Sequence, residues 1–98
     1  MKKKKQLIRL AFNEAVFSRD NFTCTFCSET SDLDAHHITD RHLMPAGGYV
    51  KENGITLCSV HHYEAEMAVE GMQATILYDR IGSSYEEALR ASERLLGQ

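Results

Sequence analysis

The chain has 98 residues, which allows one domain (1–98) and a core too small to stand comfortably alone, so an additional staple is expected. It has no Trp, aromatic residues make up only 8 %, and the longest apolar runs fall well short of the roughly 18 residues a membrane span needs, which excludes a transmembrane class. The net charge is −3, an unfavourable balance for binding a polyanion, but it is unevenly spread. Lys2 to Lys5 open the chain, while acids gather at Glu64, Glu66 and Glu70 and again at Glu86, Glu87 and Glu93. The acidic C-terminal end is therefore expected to face away from any anionic partner.

The opening lysines read as a solvated tail, and Arg9 interrupts the apolar stretch that a signal peptide would require. From Gln6 to Ser18, the helical spacing of Leu7, Leu10, Ala11, Ala15 and Val16 predicts a first amphipathic helix ending near Asp20 and Asn21. Residues 22–38 shorten into strand-like pieces broken by the turn-like run Ser28 to Ser31, predicting two short strands around the first cysteine pair. The stretch 39–53 holds the single proline, Pro45, followed by Gly47 and Gly48, and reads as an irregular loop. Ile55 to Leu57 reads as a brief strand, and a helix is predicted from Cys58 to about Val69, with Gly71 as its stop. Residues 73–81 fit either a strand or a helix. A last helix follows, capped by Ser83 or Ser84 with Glu86 or Glu87 three residues on, and with Ala88, Leu89, Ser92, Leu95 and Leu96 as its apolar stripe.

Two ligand pairs share one spacing. Cys24 and Cys27 enclose two residues, and thirty-one residues further on Cys58 and His61 do the same. Such a gap lets two side chains of one tight turn reach the same ion, and tetrahedral zinc takes four N or S donors. A redox pair is the rival reading of a single Cys-x-x-Cys, but no βαβ pattern surrounds it and all three cysteines are used by the two pairs. Three cysteines cannot all pair within one chain, so a reducing, cytoplasmic setting is expected.

Between the pairs lies Asp34-Ala35-His36-His37-Ile38, and around the second lies Asn53-Gly54-Ile55-Thr56-Leu57-Cys58-Ser59-Val60-His61-His62. Here the chain resembles the HNH endonuclease family. That family's ββα-metal core carries a His at the end of one strand, an Asn in the following loop and a His on the helix, positions that fall on His37, Asn53 and His62. In the zinc-ribbon branch of the family, Cys-x-x-Cys and Cys-x-x-Cys-His flank these residues; here His61 takes the place of the last cysteine. The likeness covers about Ser18 to Glu66, within a motif core of about 18–70. It implies an α+β fold in which a small ββα-metal core, stapled by structural Zn²⁺, is flanked by N- and C-terminal helices.

The resemblance implies a metal-dependent hydrolase of nucleic-acid phosphodiester bonds, with DNA as the first expected substrate, of a kind found in phages and bacteria. His37 would be the general base, since a neutral imidazole accepts a proton from water near neutral pH. His36 and His62 would bind one catalytic divalent cation, and such ligands suit Mn²⁺, Ni²⁺, Co²⁺ or Zn²⁺ better than Mg²⁺. Glu66, one helical turn after His62, is a possible third ligand. Asn53 would brace the loop through the backbone near the base. Arg41 is a candidate phosphate contact, and His42 is left as a surface residue. Simple alternation sends His36 and His37 to opposite faces of a strand, and only the family geometry, with the strand ending there, brings them to one site. The alternative function is a non-catalytic zinc module that binds nucleic acid or a protein partner.

Overall fold

The computed structural model describes residues 2–97. Helix α1 (Lys2–Arg19) leads through a looped segment into strand β1 (Leu33–His37). Three short 3₁₀ turns (Arg41–Leu43, Pro45–Gly48 and Lys51–Asn53) precede strand β2 (Gly54–Cys58). Helices α2 (Ser59–Glu66), α3 (Ala74–Arg80) and α4 (Tyr85–Leu96) complete the chain. Among the described residues the architecture is α+β, four helices around one two-stranded antiparallel sheet. No described helix is long and apolar enough to cross a membrane.

Helix α1 starts four residues before the predicted point, so the lysine run forms its first turns instead of a tail. Lysine is a good helix former, and nothing in the run breaks the pattern. The buried stripe also differs from the predicted one. Phe12 and Val16 are buried, whereas Leu7 and Leu10 are 59 % and 63 % exposed. The reason lies in β2: a Cβ on Gly54 would sit 2.7 Å from the Phe12 ring and would collide with Val16, so glycine there lets α1 lie flat on the strand.

The end of α1 is tied down by charge-assisted bonds. Arg19 donates to the carbonyls of Lys51 (2.6 Å) and Gly54 (2.7 Å) and pairs with Asp20, whose carboxylate accepts from the Thr56 N–H (3.0 Å). One edge of β2 is thereby satisfied by side chains where a further strand would otherwise pair.

Of the two strands predicted within residues 22–38, the first does not form and the second is β1. Asn21, Phe22 and Asp32 adopt φ of +56°, +51° and +53°, left-handed conformations incompatible with a strand, and only β1 follows them. The Cys24 N–H instead donates to the Glu29 carbonyl (2.9 Å), closing a loop that Thr25 pins to the Thr56 carbonyl (3.1 Å).

Strands β1 and β2 pair with His36 opposite Ile55 and His37 opposite Gly54. Helix α2 stops at Glu66, short of Val69, because Ala68 turns to φ +50°; Gly71, at φ +91°, belongs to the next turn. The ambiguous stretch after Met72 is helical. Ser84 caps α4 by accepting from the Glu87 N–H (3.1 Å), and the buried face of α4 carries Ala88, Ala91 and Ser92, with Leu96 left 65 % exposed. The core joins Ile55 and Leu57 of β2 to Met44, Leu77, Tyr78 and Ala88.

Candidate metal centres and the cleft between them

Cys24 and Cys27 lie in the loop before β1, Cys58 ends β2, and His61 stands in the first turn of α2. The register of the sheet and the helix that follows it bring all four together, with donor atoms within 4.8 Å of one another. His61 Nδ1 is 3.2 Å from Cys58 Sγ and 3.6 Å from Cys24 Sγ, and Cys27 Sγ is 3.9 Å from Cys58 Sγ. Tetrahedral bonds of zinc to sulfur and nitrogen imply edges of about 3.8 Å between sulfurs and about 3.6 Å from sulfur to nitrogen. The Cys27–Cys58 and His61–Cys24 separations match and the His61–Cys58 separation is shorter, and all three cysteines are free thiols.

Burial opposes ionisation of Cys24, but N–H groups of Cys58, Phe26 and Cys27 and the Cys27 thiol outweigh it and hold its pKa below the ordinary thiol value. By its geometry this Cys₃His set could hold a metal such as zinc. Phe26 stacks on the His61 ring (centroids 5.7 Å apart), and the Arg80 guanidinium lies 4.1 Å from the Phe26 centroid, so α3 shields one side of the set.

A second group forms on the other flank of α2. His36 points from β1 toward the helix, where His62 and Glu66 stand one turn apart, and the donor atoms of the three lie within 4.8 Å. His62 Nε2 is 3.1 Å from Glu66 Oε1, within the roughly 3.0 to 3.4 Å expected between neighbouring ligands of a first-row divalent ion. The other nitrogen of His62, Nδ1, lies 3.1 Å from Asp34 Oδ2. A carboxylate in that place fixes the tautomer and leaves Nε2 with its lone pair toward Glu66. Burial first, then the neighbouring His62, pushes the pKa of His36 down to about 4, so its imidazole is neutral and able to donate a lone pair at neutral pH.

The alternation of β1 holds through its last residue. While His36 faces α2, the ring of His37 stacks on Phe12 of α1 (centroids 4.5 Å) and meets the edge of Tyr49 (4.7 Å). Both nonetheless line one cleft of about 420 Å³, together with Asp40, Arg41, His62 and Glu66. His37 Nε2 is buried with no hydrogen-bond partner, leaving Nδ1 as the nitrogen able to serve that cleft. Burial, then the positive charge of Arg41, lowers the pKa of His37 below its ordinary value.

Asn53 is fully buried. Its Oδ1 accepts from the Thr39 N–H (3.0 Å) and the Tyr78 hydroxyl (2.7 Å), and its Nδ2 donates to the carbonyls of Thr39 (3.0 Å) and Gly48 (3.2 Å). The Ile38 N–H donates to the Asn53 carbonyl (2.9 Å), so the exit of β1 directly after His37 is held on both sides. Arg41 is exposed at the rim and donates to the Tyr49 hydroxyl (3.2 Å). His42 is exposed and, among the described residues, bonds only Asp40, two positions before it.

No family model, curated protein or solved structure matches the chain.

Three residues near these groups escaped the sequence reading. Asp34 was open to detection, because it stands two residues before His36 and so shares its face of β1. Tyr49 and Tyr78 carried no comparable mark: each is brought in by a separate element, the loop before β2 and helix α3, and only the packing of those elements joins them to His37 and Asn53.

Proposed function

We propose that the chain is a metal-dependent endonuclease of the HNH type, hydrolysing phosphodiester bonds of nucleic acid, DNA foremost. The observation that carries this reading is the cleft itself. A His-His-Glu group with metal-ligand spacing and a neutral histidine stacked on aromatic rings open into the same space, beside an arginine at its rim. The order β1, β2, α2, with His37, Asn53 and His62 on successive segments, supports the family assignment.

On this reading His37 takes a proton from the attacking water at Nδ1 while Phe12 and Tyr49 hold the ring plane. Arg41 contacts a non-bridging phosphate oxygen. Asn53 keeps the β1 exit, and with it the position of His37, from shifting. Asp34 orients His62. A divalent cation held by His36, His62 and Glu66 would supply Lewis-acid stabilisation of the charge that builds on the phosphate. The Cys24, Cys27, Cys58 and His61 set would hold structural zinc, joining the loop before β1 to the start of α2.

The test is a cleavage panel: supercoiled plasmid, linear duplex, single-stranded DNA and RNA, each with Mg²⁺, Mn²⁺, Co²⁺, Ni²⁺ and Zn²⁺. Nicking of DNA that is stronger with at least one of the last four than with Mg²⁺ is expected. Absence of cleavage of every substrate with every metal overturns the enzyme and leaves a zinc module.

A further inference from the structure

A second groove, of about 390 Å³, opens beside the metal cleft between α1 and the loop before β2. Lys5, Ile8 and Arg9 line it from the helix, and Arg41, Gly47 and Tyr49 from the loop. Three of its residues are cationic and none is acidic, in a chain whose net charge is −3. Arg41 belongs to both cavities and forms the wall between them.

Arg41 donates to the Tyr49 hydroxyl (3.2 Å) and lies near the Asp40 carboxylate. Among the described residues, none of Lys5, Arg9 and Arg41 takes part in an ion pair. Lys5 and Arg9 stand at i and i+4 on α1, where like charges repel. The first turn of α1 contains no acidic residue, although the positive end of the helix dipole favours one there. Each of these features costs the free protein stability and is relieved when an anion arrives. The shape is set by stiff parts: the Tyr49 ring meets both Phe12 (5.6 Å) and His37 edge-on, and a Cβ on Gly47, which has φ +73°, would lie 2.8 Å from that ring.

We propose that this groove carries the phosphodiester backbone next to the bond to be cut, with Arg41 at the boundary and Arg9 and then Lys5 on phosphates leading away from the cleft. The inference rests on the nuclease reading and adds the direction in which the substrate strand leaves. A helical rise of about 1.5 Å per residue sets Lys5 roughly 6 Å beyond Arg9 on the same face of α1.

The experiment measures fluorescence anisotropy of end-labelled duplex DNA, single-stranded DNA and RNA of one sequence. The protein carries stoichiometric zinc, with no second divalent cation added, so that the strands stay intact. Lys5→Gln and Arg9→Gln are each expected to weaken binding several-fold and to reduce the slope of log affinity against log salt by about 0.9 on duplex or about 0.7 on single strands. Arg90→Gln on α4, the same change in net charge, is expected to stay within about twofold of the unaltered chain. Equal losses for Arg9→Gln and Arg90→Gln, or unchanged salt slopes, overturn the groove. Cleavage that persists while binding ignores Lys5 and Arg9 overturns the groove alone. Binding governed by them in a chain that cuts nothing overturns the nuclease reading and leaves a phosphate-binding surface.

Discussion

Replacing Asn53 by alanine removes four hydrogen bonds from a fully buried side chain and leaves their partners behind. The Tyr78 hydroxyl suffers least, because Thr39 Oγ1 remains 2.6 Å away. The Thr39 N–H and the carbonyls of Thr39 and Gly48 lose their side-chain partner. At about 1 kcal/mol net per bond the loss is about 4 kcal/mol. Thr39 is only partly buried and can recover some of this from water, which brings the expected destabilisation to about 3 kcal/mol. Asn53→Asp should cost nearly as much despite its equal size, since a carboxylate oxygen would then face two carbonyl oxygens in place of the Nδ2 donor. Tyr78→Phe removes one donor and should cost about 1 kcal/mol. Urea unfolding at buffered free zinc, followed by far-UV circular dichroism, measures all three. A loss below about 1 kcal/mol for Asn53→Ala would show that the bonds at the β1 exit contribute no more than water does, and the bracing role would fall.

Metal analysis after exhaustive dialysis should return about one zinc per chain, and Cys58→Ser or a strong chelator should abolish cooperative unfolding; a metal-free chain that stays folded refutes the staple. His37→Ala should eliminate cleavage at every metal concentration while calorimetric binding of a second Mn²⁺ or Ni²⁺ persists, whereas His62→Ala should weaken that binding at least tenfold and regain some cleavage at high metal. Asp34→Asn, which keeps the shape but removes the charge on His62 Nδ1, should lower second-metal affinity by about 10-fold or more; an unchanged isotherm would remove Asp34 from the site. Burial and Arg41 both favour neutral His37, so cleavage should hold from pH 8 down to about 6.5 and fall only as pH drops through the lowered value, and an acid limb centred at pH 7 or above would contradict the assignment.

Local chemistry made several elements legible. The equal spacing of Cys24 with Cys27 and of Cys58 with His61 needs only a tight turn and one helical turn, and the four donors do converge. Ser84, the Ala88 and Ser92 part of the α4 stripe and the short β2 follow from capping and patterning in the same way. What failed depended on partners distant in sequence. Val16 is buried as its spacing predicts, but Phe12 joins it in place of Leu7 and Leu10, a choice made by Gly54, more than thirty residues away. The first strand expected around Cys24 yields to left-handed residues at Asn21, Phe22 and Asp32; Asn and Asp tolerate that conformation, but a bulky Phe22 gives no sign of it.

The candidate site shows the same division. The helix period made Glu66 readable one turn after His62, and in principle the strand period did the same for Asp34 beside His36, whereas His36 and His62 as a pair came only from the family resemblance. The position of His37 was not readable, because alternation sends it to the opposite face from His36. The structure keeps that alternation and still opens both residues to one cleft, since β1 ends at His37 and the chain turns away through Thr39, anchored by Asn53. Opposite faces then have distinct uses. One face supplies lone pairs to α2, and the other packs a half-buried imidazole against Phe12, the residue on which α1 rests. The helix that positions His37 also carries Arg9 and Lys5 to the neighbouring groove. Net charge conceals this, because the acids Glu86, Glu87 and Glu93 lie on α4, away from the groove's walls. For a chain of this size, the arrangement of charge over its elements bears on anion binding more directly than the sum does.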